Sequence, residues 1–247
     1  MSTQLDPHQP PIDVRTLGRF EVLVHGVQKA WKGKNAGTQQ LRRVFGYLVF
    51  RRDHPVERAV LARVAGGHGD GDRRYVIADV KRIVMDWGLD VALRVQRSHV
   101  TLLRHPVWNT DTDRLGALFE EAQAISEAGR QEQAIEILEV AEALCKGEYL
   151  SVFRPRFDPV LDGAKAKWQN IQKQTLVLQA RLCMAMPDTK RREQAFQAAA
   201  TAIKFDKDDP ATYWLASECA RLWGNLEVAH DYAQQALEIE RKQRQKP

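Results

Sequence analysis

Arg74, Ala78, Lys81, Arg82 and Met85 recur at i, i+4, i+7, i+8 and i+11, the spacing that puts residues on one face of a helix. Arginine and lysine can donate to guanine edges or clamp phosphates, while alanine and methionine can meet a thymine methyl. Arg73 falls at the expected start of this helix, where backbone amides also favour a phosphate. Asp79, nearby, can accept from a cytosine amine or pair with Arg82. Arg97 falls at the tip of a hairpin expected downstream, and Arg42 and Arg43 on an earlier helix can reach a nucleic-acid backbone. The chemistry these residues imply is binding of double-stranded DNA, with an affinity that falls steeply as salt rises.

Other chemistries find no support. The seven histidines are scattered, and no nucleophile elbow, HExxH pair or Cys/His/Asn set is present, so no catalytic residue, metal site or cofactor is expected and the chain does not read as an enzyme. Cys145, Cys183 and Cys219 are far apart, form no Cys-x-x-Cys pair and fall in amphipathic helical patterns; buried, inert thiols are expected. The run GGHGDGD, from Gly66 to Asp72, lacks the P-loop lysine and the spacing of a calcium loop. Its glycines predict a loop between two helices.

The elements that must position the basic face follow from periodicity. Ile12, Val14 and Thr16, then Phe20 to Val24, alternate as strands, with a turn near Gly26 and a short third strand within 28–34. Leu41, Val44, Phe45 and Leu48 mark a helix over about 36–51, and Val56, Val60, Leu61 and Val64 a shorter one. A third helix over 73–87 buries Val76, Val80, Ile83, Val84 and Trp87, with Asp72 as its N-cap and Gly88 as its stop. Val91 to Leu102 alternate around Gln96–His99 as a hairpin. A small sheet, three helices and a basic hairpin are the parts of a winged helix.

Beyond the junction at 105–109 the pattern is helical throughout, over about 111–128, 131–146, 159–186, 190–204, 210–223 and 225–243. Small residues recur around turn glycines: Ala216, Ser217 and Ala220 before Gly224, with Ala229, Ala233 and Ala236 after it. Ala122 precedes Gly129, with Ala134 and Ala141 after it; Ala195, Ala199 and Ala202 form a poorer copy. Such offsets let paired helices approach closely, as in tetratricopeptide arrays. Trp168, Tyr213, Trp214, Trp223 and Tyr232 are read as packing between these helices, with a ligand groove as the alternative. The expected fold is therefore an α+β winged helix-turn-helix domain at 12–106 followed by an all-α tetratricopeptide-like domain at 109–247, after a flexible arm at 1–11.

Charge divides along the same line. Up to Trp108 there are 18 Lys/Arg against 10 Asp/Glu, a net of +8; the remainder holds 19 against 22, a net of −3. A basic part beside a mildly acidic one suits nucleic acid at one end and another partner at the other. No apolar run reaches membrane-spanning length, and the first residues lack a basic and an apolar region of a secretory signal, so a cytoplasmic location with no membrane contact is expected.

The segments LGRFEVLVHG and QQLRRVFGYLVFRRDHPVERAVLARV resemble the OmpR-type winged helix of actinobacterial antibiotic-pathway activators, the SARP type. TDTDRLGALFEEAQAISEAGRQEQAIEILEVAEALCKGEYLSVF resembles the bacterial transcriptional activator domain that follows it there. The resemblance covers about 12–185 and implies a sequence-specific, DNA-binding transcription activator, with the helical domain serving dimerisation and regulation. It also implies that the loop holding Gly67, His68 and Asp70 contacts RNA polymerase, that the chain forms a homodimer, and that the helical domain can take a protein or small-molecule ligand. The alternative is a protein-interaction adaptor whose winged helix has weakened DNA binding, because the third helix ends in Ile83-Val84-Met85 where such proteins carry further basic residues.

Overall fold

The computed structural model describes residues 11–66, 70–154 and 156–245, with the backbone alone at 70–74; residues 1–10 of the expected arm lie outside it. It divides into two compact units, 1–113 with 148–163, and 114–147 with 164–247.

In the first unit, alternating β-branched residues build β1 (Ile12–Arg15) and β2 (Glu21–Val24), paired antiparallel with Val14 opposite Val22. The turn takes His25 and Gly26 at positive φ, and β3 (Val27–Gln28) completes the meander. The third strand is shorter than expected because Trp31 turns into the core, where it is 5% exposed. α1 (Thr38–Phe50) buries Leu41, Val44, Phe45 and Leu48 as its stripe requires. Val56, expected to open the second helix, instead forms β4 (Val56–Glu57), with Val56 paired to Val100. α2 (Arg58–Ala65) follows and ends on Gly66 in the left-handed region, φ 80°.

α3 (Asp70–Asp86) begins three residues earlier than its apolar stripe implies. Asp70, Gly71 and Asp72, expected in a loop with Asp72 as N-cap, are its first turn, and Arg73 stands inside the helix rather than at its start. Acidic residue types suit the positive end of a helix and offset the helix-breaking tendency of Gly71. Val76, Val80, Ile83 and Val84 are buried, and the chain leaves the helix at Gly88, φ 78°. β5 (Leu93–Val95) and β6 (His99–Leu102) form the expected hairpin, and β4 joins its other edge. β7 (Trp108–Thr110) pairs parallel to β1, giving a four-stranded sheet in the order β3-β2-β1-β7.

A buried carboxylate ties this sheet to the chain that follows. Asp111 accepts from the Thr16 amide (2.8 Å), the Thr16 hydroxyl (2.5 Å) and the Leu17 amide (2.9 Å). Burial pushes its carboxyl above the usual range, against the pull of those donors. Arg52 forms a two-pronged pair with Asp113, whose carboxyl is held down despite burial by that guanidinium and by Thr110. Residues 148–163 belong to the same unit: the Leu150 amide donates to Thr16 O (2.7 Å), and Tyr47 donates to Asp158 (2.9 Å). Leu150 and Phe153 fit where Gly46 leaves room on α1.

The other unit is all helical: α4 (Asp111–Glu127) and α6 (Pro159–Met184), which both start in the first unit, with α5 (Gln131–Glu142), α7 (Thr189–Ala202), α8 (Pro210–Trp223) and α9 (Leu226–Arg244). α5 stops short of the expected 146, and residues 144 and 145 close tighter three-residue turns instead. Ala216, Ala220, Ala229 and Ala236 are buried, and Ser217 donates to Ala229 O at 2.6 Å, so α8 and α9 approach closely around Gly224. Asp188, Asp209 and Asn225 cap α7, α8 and α9. Lys173 holds Asp206 and Asp209 before α8, and Arg191 holds Glu139 and Glu132 of α5. Tyr213, Trp223 and Tyr232 pack around Phe196 or one another.

Cys183 and Cys219 are buried as expected, whereas Cys145, just after α5, is half-buried. Burial raises the Cys145 thiol to about 12, Cys183 to about 11 and Cys219 to about 12. Among the described residues, no helix is long and apolar enough to cross a membrane.

Candidate nucleic-acid interface

The apolar stripe of α3 dictates which residues are left outside. With Val76, Val80, Ile83 and Val84 buried, Ala78, Lys81, Arg82 and Met85 are exposed, Met85 at 53%, and Tyr75 joins them at 56%. Arg73 and Arg74 lie in the N-terminal part of the same helix; their side chains, like that of Asp70, are not described, and Gly67 and His68 lie outside the described residues.

Asp79 is not on the open face. It is 4% exposed and its Oδ2 accepts from the Asn35 amide (2.7 Å) and the Ala36 amide (2.8 Å). Burial opposes its charge, but the amides of Asn35, Ala36 and Lys34 and the Arg82 guanidinium outweigh it and hold the carboxyl below its usual range. The cytosine reading of Asp79 is thereby excluded; the reading that it pairs with Arg82 holds, at 3.7 Å. Arg82 also donates to Lys32 O (2.8 Å) and stands 3.8 Å from Asp86. Its head is half exposed yet committed to the segment between β3 and α1.

That segment is fitted tightly to α3. A Cβ on Gly33 would lie 2.3 Å from Ala36 O and 3.0 Å from Asp79 Oδ2, so only glycine lets the backbone pass. Trp31 meets Trp87 edge-on at 4.9 Å and Phe45 at 5.8 Å, and Phe20 completes the cluster. The exposed face of α3 is thus held from behind by aromatic packing and from one side by a carboxylate on backbone amides. Sequence reasoning missed this bracket. A signal was present, since Asp79 lies three residues after Val76 and four before Ile83, on the buried side of the helix.

The remaining basic residues are dispersed. Arg97 sits exposed at the hairpin tip, where the Gln96 amide donates to His99 O (2.9 Å). Arg94 is exposed on β5, opposite Thr101. Arg104 pairs with Asp53 at 3.0 Å. Arg42 is half-buried, its guanidinium 5.9 Å over the Trp31 ring, and its Nε has no hydrogen-bond partner among the described residues. Arg43 is also half-buried: a Cβ on Gly66 would lie 3.3 Å from its Nη1, so its guanidinium stands at the negative end of α2. No group of three or more His, Cys, Asp or Glu able to hold a metal occurs among the described residues.

No family model matches the chain, and no curated protein matches it. Among solved structures, EmbR from Mycobacterium tuberculosis, in complex with a low-affinity phosphopeptide, is similar. The TM-score is 0.50 and the identity 19%, covering 95% of this chain and 71% of that one. At this identity the likeness is one of fold: a winged helix followed by an all-α region.

Proposed function

We propose that the chain is a sequence-specific DNA-binding transcription regulator of SARP type, acting as an activator. The observation that carries this reading is the open face of α3, which presents Ala78, Lys81 and Met85 from a firmly bracketed helix of a winged-helix fold. α3 enters the major groove, with Arg74 and Lys81 on guanine edges or phosphates and Ala78 and Met85 on thymine methyls. Arg73 takes a phosphate, Arg97 enters the adjacent minor groove, and Arg42 and Arg43 face the backbone. Arg82 contributes at the edge of the groove while bracing Lys32. Residues 12–106 serve as the DNA-binding domain and 109–247 as a tetratricopeptide-like domain that dimerises and takes an effector. Gly67 and His68, with Asp70 at the start of α3, contact RNA polymerase, in the cytoplasm.

Titration of labelled random-sequence duplexes at low and moderate salt tests this. The wild-type chain binds with a steep salt dependence, and the combined Arg74→Ala, Lys81→Ala and Arg82→Ala variant loses most of that affinity. Binding that is unchanged in the triple variant refutes the proposed face. A second reading, a protein-interaction adaptor with weakened DNA binding, is favoured by the commitment of Arg82 to Lys32, Asp79 and Asp86. It predicts no duplex binding at any salt.

A further inference from the structure

α3 leaves a tyrosine open to water although it has an apolar side on which to place one. Its inner side is filled by Val76, Ile77, Val80, Ile83 and Val84, all buried, while Tyr75 is 56% exposed. The other four tyrosines are placed differently. Tyr47, Tyr149 and Tyr213 are buried, and Tyr232 packs against Phe196 and Tyr213. Tyr75 makes no hydrogen bond and no ring contact among the described residues, so its ring and its hydroxyl hold nothing within the fold. Met85, on the same helix, is likewise open, whereas Met184 and Met186 are half-buried against the core of the helical unit.

Spacing puts these side chains in order. Tyr75, Ala78, Arg82 and Met85 follow at i, i+3, i+7 and i+10, a single row along the helix. At a rise of about 1.5 Å per residue, Ala78 lies about 4.5 Å beyond Tyr75 along the axis, and Met85 about 15 Å. Tyr75 is the sixth residue of α3 and so falls in its N-terminal half, the part of a recognition helix that approaches base edges. Arg82 stands in the row and Lys81 beside it, so the face is not the continuous apolar patch that docks a protein. Alternation of apolar and cationic residues matches the major groove instead, where thymine methyls lie beside guanine acceptors. The net charge of +8 up to Trp108 favours the same polyanion.

We infer that Tyr75 is a specificity-determining residue, its ring packing on the 5-methyl group of a thymine in the major groove while the small Ala78 leaves that methyl room. The inference rests on the reading of α3 as the DNA-binding helix and adds which feature of the bases its N-terminal half selects. The ring makes the contact rather than the hydroxyl, because the thymine methyl is the apolar group that distinguishes one base pair from another in this groove. Cytosine, which lacks the methyl, is disfavoured at that position.

The test takes the full chain and the duplex motif that it selects from a random-sequence pool, remade with each thymine in turn replaced by deoxyuridine. Deoxyuridine pairs as thymine does and lacks only the methyl. Fluorescence anisotropy is expected to show one thymine whose methyl is worth about fourfold in affinity, the value of one buried carbon. Tyr75→Ala should weaken the thymine duplex about tenfold and bind the two duplexes equally at that position. Tyr75→Phe, which keeps the ring, should rescue both the affinity and the discrimination. Circular dichroism of Tyr75→Ala should match wild type, because the side chain is exposed. A motif whose thymines all tolerate deoxyuridine, or discrimination that persists in Tyr75→Ala, overturns the inference. So does a Tyr75→Phe variant as weak as Tyr75→Ala, which would put the hydroxyl on a phosphate. In these three cases the selected motif leaves the DNA reading standing, whereas a pool that stays random overturns that reading and this inference with it.

Discussion

Replacing Asp79 with alanine removes an acceptor that two backbone amides share, Asn35 N at 2.7 Å and Ala36 N at 2.8 Å. The site is 4% exposed, so water cannot take over as acceptor without opening the segment before α1. Hydrogen bonds to a charged group contribute about 1.5–3 kcal/mol each, and the two share one oxygen, so the expected loss is about 3–4 kcal/mol. That is a large fraction of the ~5–15 kcal/mol that holds a typical domain. Asp79→Asn keeps an oxygen for both amides but loses the charge facing Arg82, and should cost about 1–2 kcal/mol. Urea unfolding followed by tryptophan fluorescence reads the effect, because Trp31 and Trp87 meet at 4.9 Å directly behind this bracket. The carboxyl is held below its ordinary value, so the stability it contributes is present above about pH 4 and lost as pH falls through the lower folded value. The deficit of Asp79→Ala relative to wild type should therefore shrink on acidification. Equal unfolding midpoints at pH 7, or a deficit that grows as pH falls, would show that the Asp79 carboxylate does not hold this segment.

Three further outcomes follow from the same structure. Gly33→Ala places a Cβ 2.3 Å from Ala36 O and should destabilise the first unit by about 1–3 kcal/mol in the same unfolding assay. Asp111→Asn sets an amide group against either Leu17 N–H or the Thr16 donors, leaving a buried donor unsatisfied; a loss of about 2 kcal/mol is expected in urea. Cys183 and Cys219, 0% and 1% exposed with thiols raised by burial, should react with an alkylating reagent at pH 8 only after denaturation, as mass spectrometry of the native and unfolded chain will show.

Elements set by local pattern were legible in the chain. Every apolar position assigned to α1 is buried, as are Val76, Val80, Ile83, Val84 and Trp87. The hairpin around Gln96 and the close pair around Gly224 stand where alternation and small residues put them. The features that escaped are long-range. β7 joins β1 across more than ninety residues, and Asp111 reaches Thr16 and Leu17 over a similar separation. No periodicity carries such information. The same holds for residues 148–163, whose Leu150 amide finds the carbonyl of Thr16. At the candidate site, the open face of α3 followed from its buried stripe. The engagement of Arg82 with Lys32 O did not, because a surface arginine and a braced one look alike in sequence. The early start of α3 was obscured by Gly71, since glycine argues for a loop while the acidic residues on either side favour a helix start.

Selection of bound duplexes from a random-sequence pool, carried out in parallel with wild-type chain and the Arg74→Ala, Lys81→Ala, Arg82→Ala variant, tests whether α3 reads DNA sequence. Wild type should enrich one motif, the triple variant should lose it, and each mismatched pair should cost about 1–3 kcal/mol. A pool that stays random with wild type, or a motif that survives the triple variant, contradicts that reading.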